Sequence, residues 1–591
     1  MSSPRISASG WAAIAACVLF CHPAYSQTNL QPVALPGDSP GGGWGAFQSF
    51  RFAPAINASG EVAFQAANQQ LPNGGNSSGV EWVCSNSGFQ YVAAVGLDAP
   101  VDPPGRYSDV MSSMVLSDSG RVAFTGAYDN SPGFSKLGLF GGTPSGVGSV
   151  VNEDTPVPGF PGTNFGWPGL NNFITAPPAI TSGGQIAFGA EIGEGTLQFS
   201  IWTQQSGDPV LIAYDYGPAP GTSKGDYFLS VSTYQSDQES APRINDAGNV
   251  AFRAHLAGPG VDASNQAGLW AQNAGSLQLV SRAGQQAAGT SPGTIFLDYS
   301  EPGLNNHGAI AFRGVLTGPD VTPQNNVGIW RNQGNTMSLV ARSADAAAGV
   351  PSAVFSDFGT PLINGQDKIA FSGRLAGASV TTDNDSGLWV DNAGALQLIA
   401  RESDPALGLG KGIFFGDGLG IFAMNALGQI VIDAPLSGSA VTTANDRGLW
   451  VDDPLIGLKL VLSKGEQVEI HPGDFRTISD YVLPFAASGG QDGRKEVLND
   501  SGQLVVDLTF TDGTTGIFVT DVPEPSVGIY ILLLIVCGVR SPRRMPRSTP
   551  EYYSCPWNEA TGPMSRLRVS RIAATQSVPP SVIPLPTRLT E

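Results

Sequence analysis

One phrase recurs along this chain, and its recurrence limits what the chain can fold into. INASGEVAF at residues 56 to 64 returns as LSDSGRVAF (116 to 124), ITSGGQIAF (180 to 188), INDAGNVAF (244 to 252) and LNNHGAIAF (304 to 312). Three more copies follow: INGQDKIAF (363 to 371), MNALGQIVI (424 to 432) and LNDSGQLVV (498 to 506). The Asn position falls at 57, 117, 181, 245, 305, 364, 425 and 499, giving intervals of 60, 64, 64, 60, 59, 61 and 74 residues. Repetition at such a period signals an array of similar units. Departures are local: Ser117 and Thr181 replace Asn, Asp367 replaces Gly, and the last two copies lack the Phe.

In Asn-x-x-Gly, the Asn side chain can bond its own backbone two residues on, and Gly accepts a positive φ, so the phrase reads as a tight turn. Asn57 with Gly60, Asn245 with Gly248 and Asn305 with Gly308 are its clearest forms. The tripeptide that follows reads as a strand in which residues two apart share a face, ending on Phe64, Phe252 and Phe312 as buried anchors. A second phrase, Gly-aliphatic-aromatic, ends on Phe140, Trp270, Trp330, Trp389, Trp450 and Phe518, with looser copies at Trp82 and Trp202. A third is an apolar strand leading into a Gly/Pro/Asp turn, as in LVSRAGQQAAG from Leu279. A fourth segment, often aromatic, precedes each Asn, as in TIFLDYS from Thr294. Each unit thus offers four short strands and is too small to bury both faces of its sheet, so neighbouring units must cover it.

Four-stranded units in tandem predict an all-β fold, a β-propeller. The array starts on an apolar strand near residue 32 and stops after GIFVTD near 521, inside a unit. Joining the last two strands to the first two would complete a sheet and tie a ring. Eight four-stranded blades are expected, with seven blades plus an irregular cap as the alternative. The interval of 74 places an insertion around residues 486 to 496, a surface loop by composition.

Charged residues make up only 13% of the chain while Gly (76) and Pro (45) are plentiful, which suits short strands joined by turns. Eight Arg and three Glu from Arg540 onward leave residues 1 to 539 with 22 basic and 46 acidic groups. That surface repels phosphate backbones, which argues against a nucleic-acid partner. The N-terminus has one Arg, an apolar run from Trp11 to Phe20 and the small-residue pattern Ala24-Tyr25-Ser26, as in a secretory signal peptide cleaved after Ser26. Of five cysteines only Cys84 lies in the body, so no internal disulfide is available there and burial must supply the stability.

With all three phrases recurring together over residues 30 to 520, the chain resembles secreted bacterial proteins with tandem NxxGxxAF repeats and interchangeable C-terminal anchors. Near the C-terminus, Pro523-Glu524-Pro525 precedes an apolar run from Val527 to Val539, with Arg540, Arg543 and Arg544 after it. This resembles a PEP-CTERM sorting signal, which implies handling by an exosortase, transient membrane contact through residues 527 to 539, and export to the cell envelope or medium. Thirteen residues of helix span only about 20 Å, short of the roughly 30 Å hydrocarbon core. The expected organisation is a signal peptide (1–26), a propeller (27–520), a sorting segment (521–544) and a disordered tail (545–591).

The sequence carries no motif for catalysis. His255, His307 and His471 lie in different repeats, and nothing has zinc-ligand or phosphate-loop spacing. No cofactor is expected; oxygen-rich stretches at 263–268, 381–387 and 442–448 have the ligand type for calcium but equally the chemistry of ordinary turns. Arg282, Arg342 and Arg401 recur at one position, Arg253 and Arg313 at another, as structural pairs. Two functions fit. The first is an exported binding or structural protein whose propeller face engages exopolysaccharide or another envelope component. The second is a secreted carbohydrate-active enzyme, a hydrolase or lyase, which would need paired carboxylates from among residues such as Asp226, Glu239 and Asp492.

Overall fold

The computed structural model describes residues 30–522 apart from 76, 111–113, 132–133, 167–177, 194–197, 232–241, 335, 393 and 484–496. Eight antiparallel sheets form an eight-bladed propeller, with no helix among the described residues. Blade 1 opens at Phe47 and blade 8 closes the ring.

Blade 5 shows how the four phrases become a sheet. The aromatic segment supplies the inner strand, in two pieces at Ile295–Tyr299 and Gly303–Leu304. Both pieces pair with the repeat strand Ile310–Thr317, which pairs with Val327–Gln333, which pairs with the outer strand Thr336–Arg342. The break in the inner strand recurs from blade 1 to blade 7, and its second pieces adjoin one another from blade to blade around the axis.

Closure differs from the two-plus-two arrangement suggested by the sequence. The N-terminus contributes one strand, Gln31–Ala34, which pairs with Thr515–Asp521. Gln503–Phe510, Asp474–Val482 and the short strand Gln467–His471 complete blade 8. Each outer strand hands over to the inner strand of the next blade, so Phe47–Phe50 pairs with Val62–Asn68 and begins blade 1 instead of finishing blade 8.

The core of each blade is a cluster of rings. In blade 5, Phe296 of the inner strand meets Trp330 edge-on at 4.9 Å, and Phe312 stacks on Trp330 at 6.1 Å and 14°. Phe228, Phe252 and Trp270 repeat this in blade 4, and Phe355, Phe371 and Trp389 in blade 6. In blade 7 the repeat Phe has become Ile432, and Phe415 meets Trp450 at 5.0 Å. Such pairs add about 0.5–1.5 kcal/mol beyond the area they bury. The indole also explains the Gly of the second phrase: a Cβ on Gly328 would lie 2.8 Å from both Trp330 and the Ala341 carbonyl. The indole N–H groups of Trp270, Trp330, Trp389 and Trp450 donate to the carbonyls of Pro220, Ala288, Ala348 and Leu407, tying each blade to the connection that enters it.

The repeated Asn does more than make a turn. Asn305 Oδ1 accepts the N–H groups of His307 (3.0 Å) and Ala309 (2.8 Å), while Gly308 takes a φ of 76°. Its Nδ2 then donates to the Asn364 carbonyl of the next blade at 2.8 Å. The same link runs from Asn245 to Asn305, Asn364 to Asn425, Asn425 to Asn499, Asn57 to Ser117 and, closing the circle, Asn499 to Asn57. Ser117 and Thr181 keep the turn by accepting the N–H groups of Arg121 and Gln185, but a hydroxyl is too short to repeat the link. Between blades 2 and 3, Arg121 takes over, donating to the carbonyls of Gly184 (2.9 Å) and Gln205 (2.6 Å). Asp367, which stands where Gly is usual, holds a φ of 60° and accepts a second bond from Asn305 Nδ2.

Two stability predictions follow from these contacts. Phe312→Ala, removing a fully buried ring, should cost about 3–5 kcal/mol in urea denaturation, and a loss below about 1 kcal/mol would contradict the packing described. Asn305→Ser should keep the turn acceptor and remove the donors to Asn364 and Asp367, costing about 1–3 kcal/mol; a midpoint equal to wild type would show that the ring bonds contribute nothing net.

Candidate functional site

In an antiparallel blade the inner-to-second turn and the third-to-outer turn share one face of the propeller. The second-to-third loops and the connections between blades share the other. The Asn ring occupies the first face. The second carries the variation, so it is the face on which to seek a site.

The connections on this second face share a backbone device. A residue with positive φ follows the outer strand and donates its N–H to an inner-strand carbonyl of the next blade. Gly37, Gly96, Tyr216, Gly284, Ala344, Ser403 and Gly465 do this, with φ between 65° and 98° and bonds of 2.7–2.9 Å. Six of these seven are small; Tyr216, with φ 68°, is the exception.

Charge on this side is largely paired. Arg253–Asp298, Arg313–Asp357, Arg374–Asp417 and Arg447–Asp480 bridge four successive blade interfaces, at 2.7, 2.7, 2.8 and 3.4 Å. His255 shares a 3.0 Å hydrogen bond with Arg253, and burial and that guanidinium lower its pKa. Arg282, Arg342 and Arg401 donate through Nε to the carbonyls of Asn265, Asn325 and Asn384, clamping the loops of blades 4, 5 and 6. In the oxygen-rich stretches the Asn side chains close turns: Asn265, Asn384 and Asn445 accept the N–H groups of Asp262, Thr381 and Thr442.

One acidic cluster stands out among the described residues. Oxygens of Asp385, Glu402 and Asp417 lie within 4.8 Å of one another. Arg374 bonds both aspartates, and Glu402 Oε2 accepts from the Ser386 hydroxyl at 3.2 Å and from the Asp385 N–H at 3.1 Å. Protein donors thus already occupy much of the lone-pair capacity that a cation would use.

Of the carboxylates that an enzyme would need, Asp226 immediately precedes the inner strand of blade 4, has a side chain 1% exposed and pairs with Arg282 at 3.1 Å. It ties the inner strand to the outer strand of its own blade. Glu239 and Asp492 lie outside the described residues, as do the signal peptide, Pro523, Glu524, Pro525, Arg543, Arg544, the apolar run 527–539, the tail and the 486–496 insertion. His307 belongs to an Asn turn, and His471 is exposed in blade 8. The structure therefore does not bring the three histidines together.

Glu81 was not singled out in the sequence, although the signal is there: it occupies the position that is Leu or Ile in most copies of the Gly-aliphatic-aromatic phrase. It is buried opposite Gln65, whose Nε2 donates to its Oε1 at 3.1 Å. Burial pushes its pKa up from 4.5 to about 8, outweighing the Gln65 hydrogen bond. Asp507, on the repeat strand of blade 8, is raised by burial to about 7.

Fold and surface together define an eight-bladed propeller with one face locked by a ring of asparagines and the other built from variable connections. The chain belongs to a family of unknown function, DUF7453, whose model matches residues 15–168 and 167–529. No curated protein matches it significantly. Among solved structures it resembles the β-propeller domain of the Trilobed protease from Pyrococcus furiosus, with TM-score 0.32 and 9% identity over 71% of this chain and all of that one. The polysaccharide lyase Uly1 gives 0.31 and 10%, over 70% of this chain and 90% of that one. Trypanosoma rangeli sialidase gives 0.25 and 9%, over 83% and 60%. At such overlap the likeness says nothing of activity.

Glu81 gives a pH prediction. Its folded pKa lies above the unfolded value, so its stabilising effect is complete below about pH 4.5 and is lost as pH rises toward about 8. Glu81→Gln keeps a neutral partner for Gln65 and should be the more stable form at pH 9 by up to about 4 kcal/mol, with little difference at pH 4. Urea midpoints of both proteins across that range check this, and parallel curves would refute it.

Proposed function

We propose that this protein is an exported, non-catalytic binding or structural protein of the bacterial cell surface or surrounding matrix, which engages exopolysaccharide or another envelope component through the face of variable connections. One observation carries the reading: the side chains that recur from blade to blade are engaged in holding the ring together. Asn side chains link blades, Phe and Trp fill cores, and the Arg residues pair with aspartates or clamp loops. A catalyst needs one asymmetric constellation, and Asp226, one of the carboxylates considered for that role, is tied to Arg282. The N-terminal leader and the Pro523-Glu524-Pro525 segment with its following apolar run and Arg543-Arg544 support export and processing by an exosortase-type enzyme.

Intact-mass analysis of the protein from its native host, fractionated into cytoplasm, membrane, envelope and medium, tests this. A mature chain beginning at Gln27 and ending near Pro523, in envelope or medium, is the expected result. An uncleaved chain ending at Glu591 in the cytoplasm would overturn it.

A further inference from the structure

The repeat is most visibly broken on the variable face at the junction of blades 3 and 4. Where blades 4, 5 and 6 end their outer strands with Arg282, Arg342 and Arg401, blade 3 ends with Tyr214. Two residues later Tyr216 occupies the left-handed position held elsewhere by small residues, a conformation that disfavours a bulky side chain. The ring gains no core burial in exchange, since the residue is 62% exposed.

Tyr216 does not stand alone. Its ring lies 6.1 Å from that of Tyr227, tilted by 40°. Tyr227 opens the inner strand Tyr227–Ser230, in which Phe228 points into the blade core and packs on Trp270. Tyr227 beside it is half-buried, and Leu229, at a bulge in the strand's pairing, is turned out of the core and 45% exposed. On the other side, Tyr214 meets Phe160 edge-on at 5.2 Å. An apolar ledge with phenolic hydroxyls thus runs from the blade connection onto the inner strand, bordered by exposed Ser223 and Lys224.

We propose that Tyr216, Tyr227 and Leu229 form a stacking ledge for sugar rings of an uncharged polysaccharide. This rests on the reading of the protein as a surface glycan binder and names the site and the ligand class. A pyranose offers an apolar C–H face and a rim of hydroxyls, and adjacent tyrosines match both, with ring faces for the first and phenol groups for the second. Charge selects against the alternatives: with 22 basic and 46 acidic groups in residues 1 to 539, the body repels uronate polymers and anionic membranes. The backbone strain at Tyr216 fits a residue retained for its exposed ring, because Gly would fit this φ without a Cβ clash.

The test is affinity electrophoresis of the full chain in gels containing dextran, laminarin or galactomannan, with alginate as the polyanion. At least one neutral polymer should retard the wild type, and Tyr216→Gly and Tyr227→Ala should each weaken that retardation about tenfold. Tyr216→Gly should also melt at or above the wild-type temperature, separating lost binding from lost folding, and Tyr216→Trp should retain binding. Retardation unchanged in both weakening variants would overturn the ledge while leaving glycan binding in place. Retardation by no polymer would overturn the ledge and the glycan reading together, leaving export to be judged by mass. Retardation by alginate alone would overturn the choice of an uncharged ligand.

Discussion

The bond from an asparagine amide to the backbone carbonyl of the following blade is the interaction on which this architecture depends. It joins residues about one repeat apart at five positions, and at the sixth it spans 442 residues to bring Asn499 back to Asn57. The linked asparagines are buried, and each accepting carbonyl also takes the N–H three residues on in its own turn, so the amide fills its second lone pair; a buried amide N–H left without a partner would cost about 1–3 kcal/mol. The links all run in one direction around the axis, and the same side chain fixes the turn within a blade and the contact between blades. Turn geometry and blade packing are thereby coupled, and neither can relax alone.

Around that ring the other forces divide the work. Aromatic clusters hold each blade together and give it thickness, while the Arg–Asp pairs lie between blades, where the aspartates at 298, 357, 417 and 480 are 42–58% exposed. Ion pairs that exposed contribute little to stability, usually below about 1 kcal/mol each. The aspartates each stand two residues past the buried inner-strand position of Phe296, Phe355, Phe415 and Ile478, whereas the arginines reach them from different places: Arg374 lies three residues past Phe371 and Arg447 opens the third strand of blade 7. Blades 1 to 3 have Gln65, Thr125 and Gly189 at the position of Arg253 and Arg313, and use other contacts, such as the bond from Gln65 to Val110 and the reach of Arg121 into blade 3. One arc of the ring thus bridges its blades with Arg–Asp pairs and the other uses individual contacts, and the individual arc contains both Glu81 and the tyrosines at the blade 3 and 4 junction.

Much of this was legible in the sequence, because a repeat shows its own periodicity. Asn-x-x-Gly announced the turn, the alternation ending at Phe312 announced a buried strand, and eight copies announced eight blades. The split at closure was not legible: strand count fixes that a sheet is shared between the ends, but not which strand of the unit lies innermost. Nor was the inter-blade role of the asparagines, since a turn explains the residue adequately until the neighbouring carbonyl is seen. The partners of Arg253 and Arg313 lie about 45 residues away in a different phrase, beyond any spacing rule. Tyr216 looks ordinary in a list of residues; only alignment of the connections by their backbone shows that it occupies a place meant for something small.

The single strand at Gln31–Ala34 has a consequence for the order of events in synthesis. It is made first, yet its partner at Thr515–Asp521 comes last among the propeller strands, so the first strand must wait with its edge unpaired while eight blades' worth of chain appears. A chain truncated before that final strand keeps an open edge, and one truncated before Asn499 also lacks the link back to Asn57. The seal is therefore also a measure of completeness: only a chain of full propeller length can hide its own beginning.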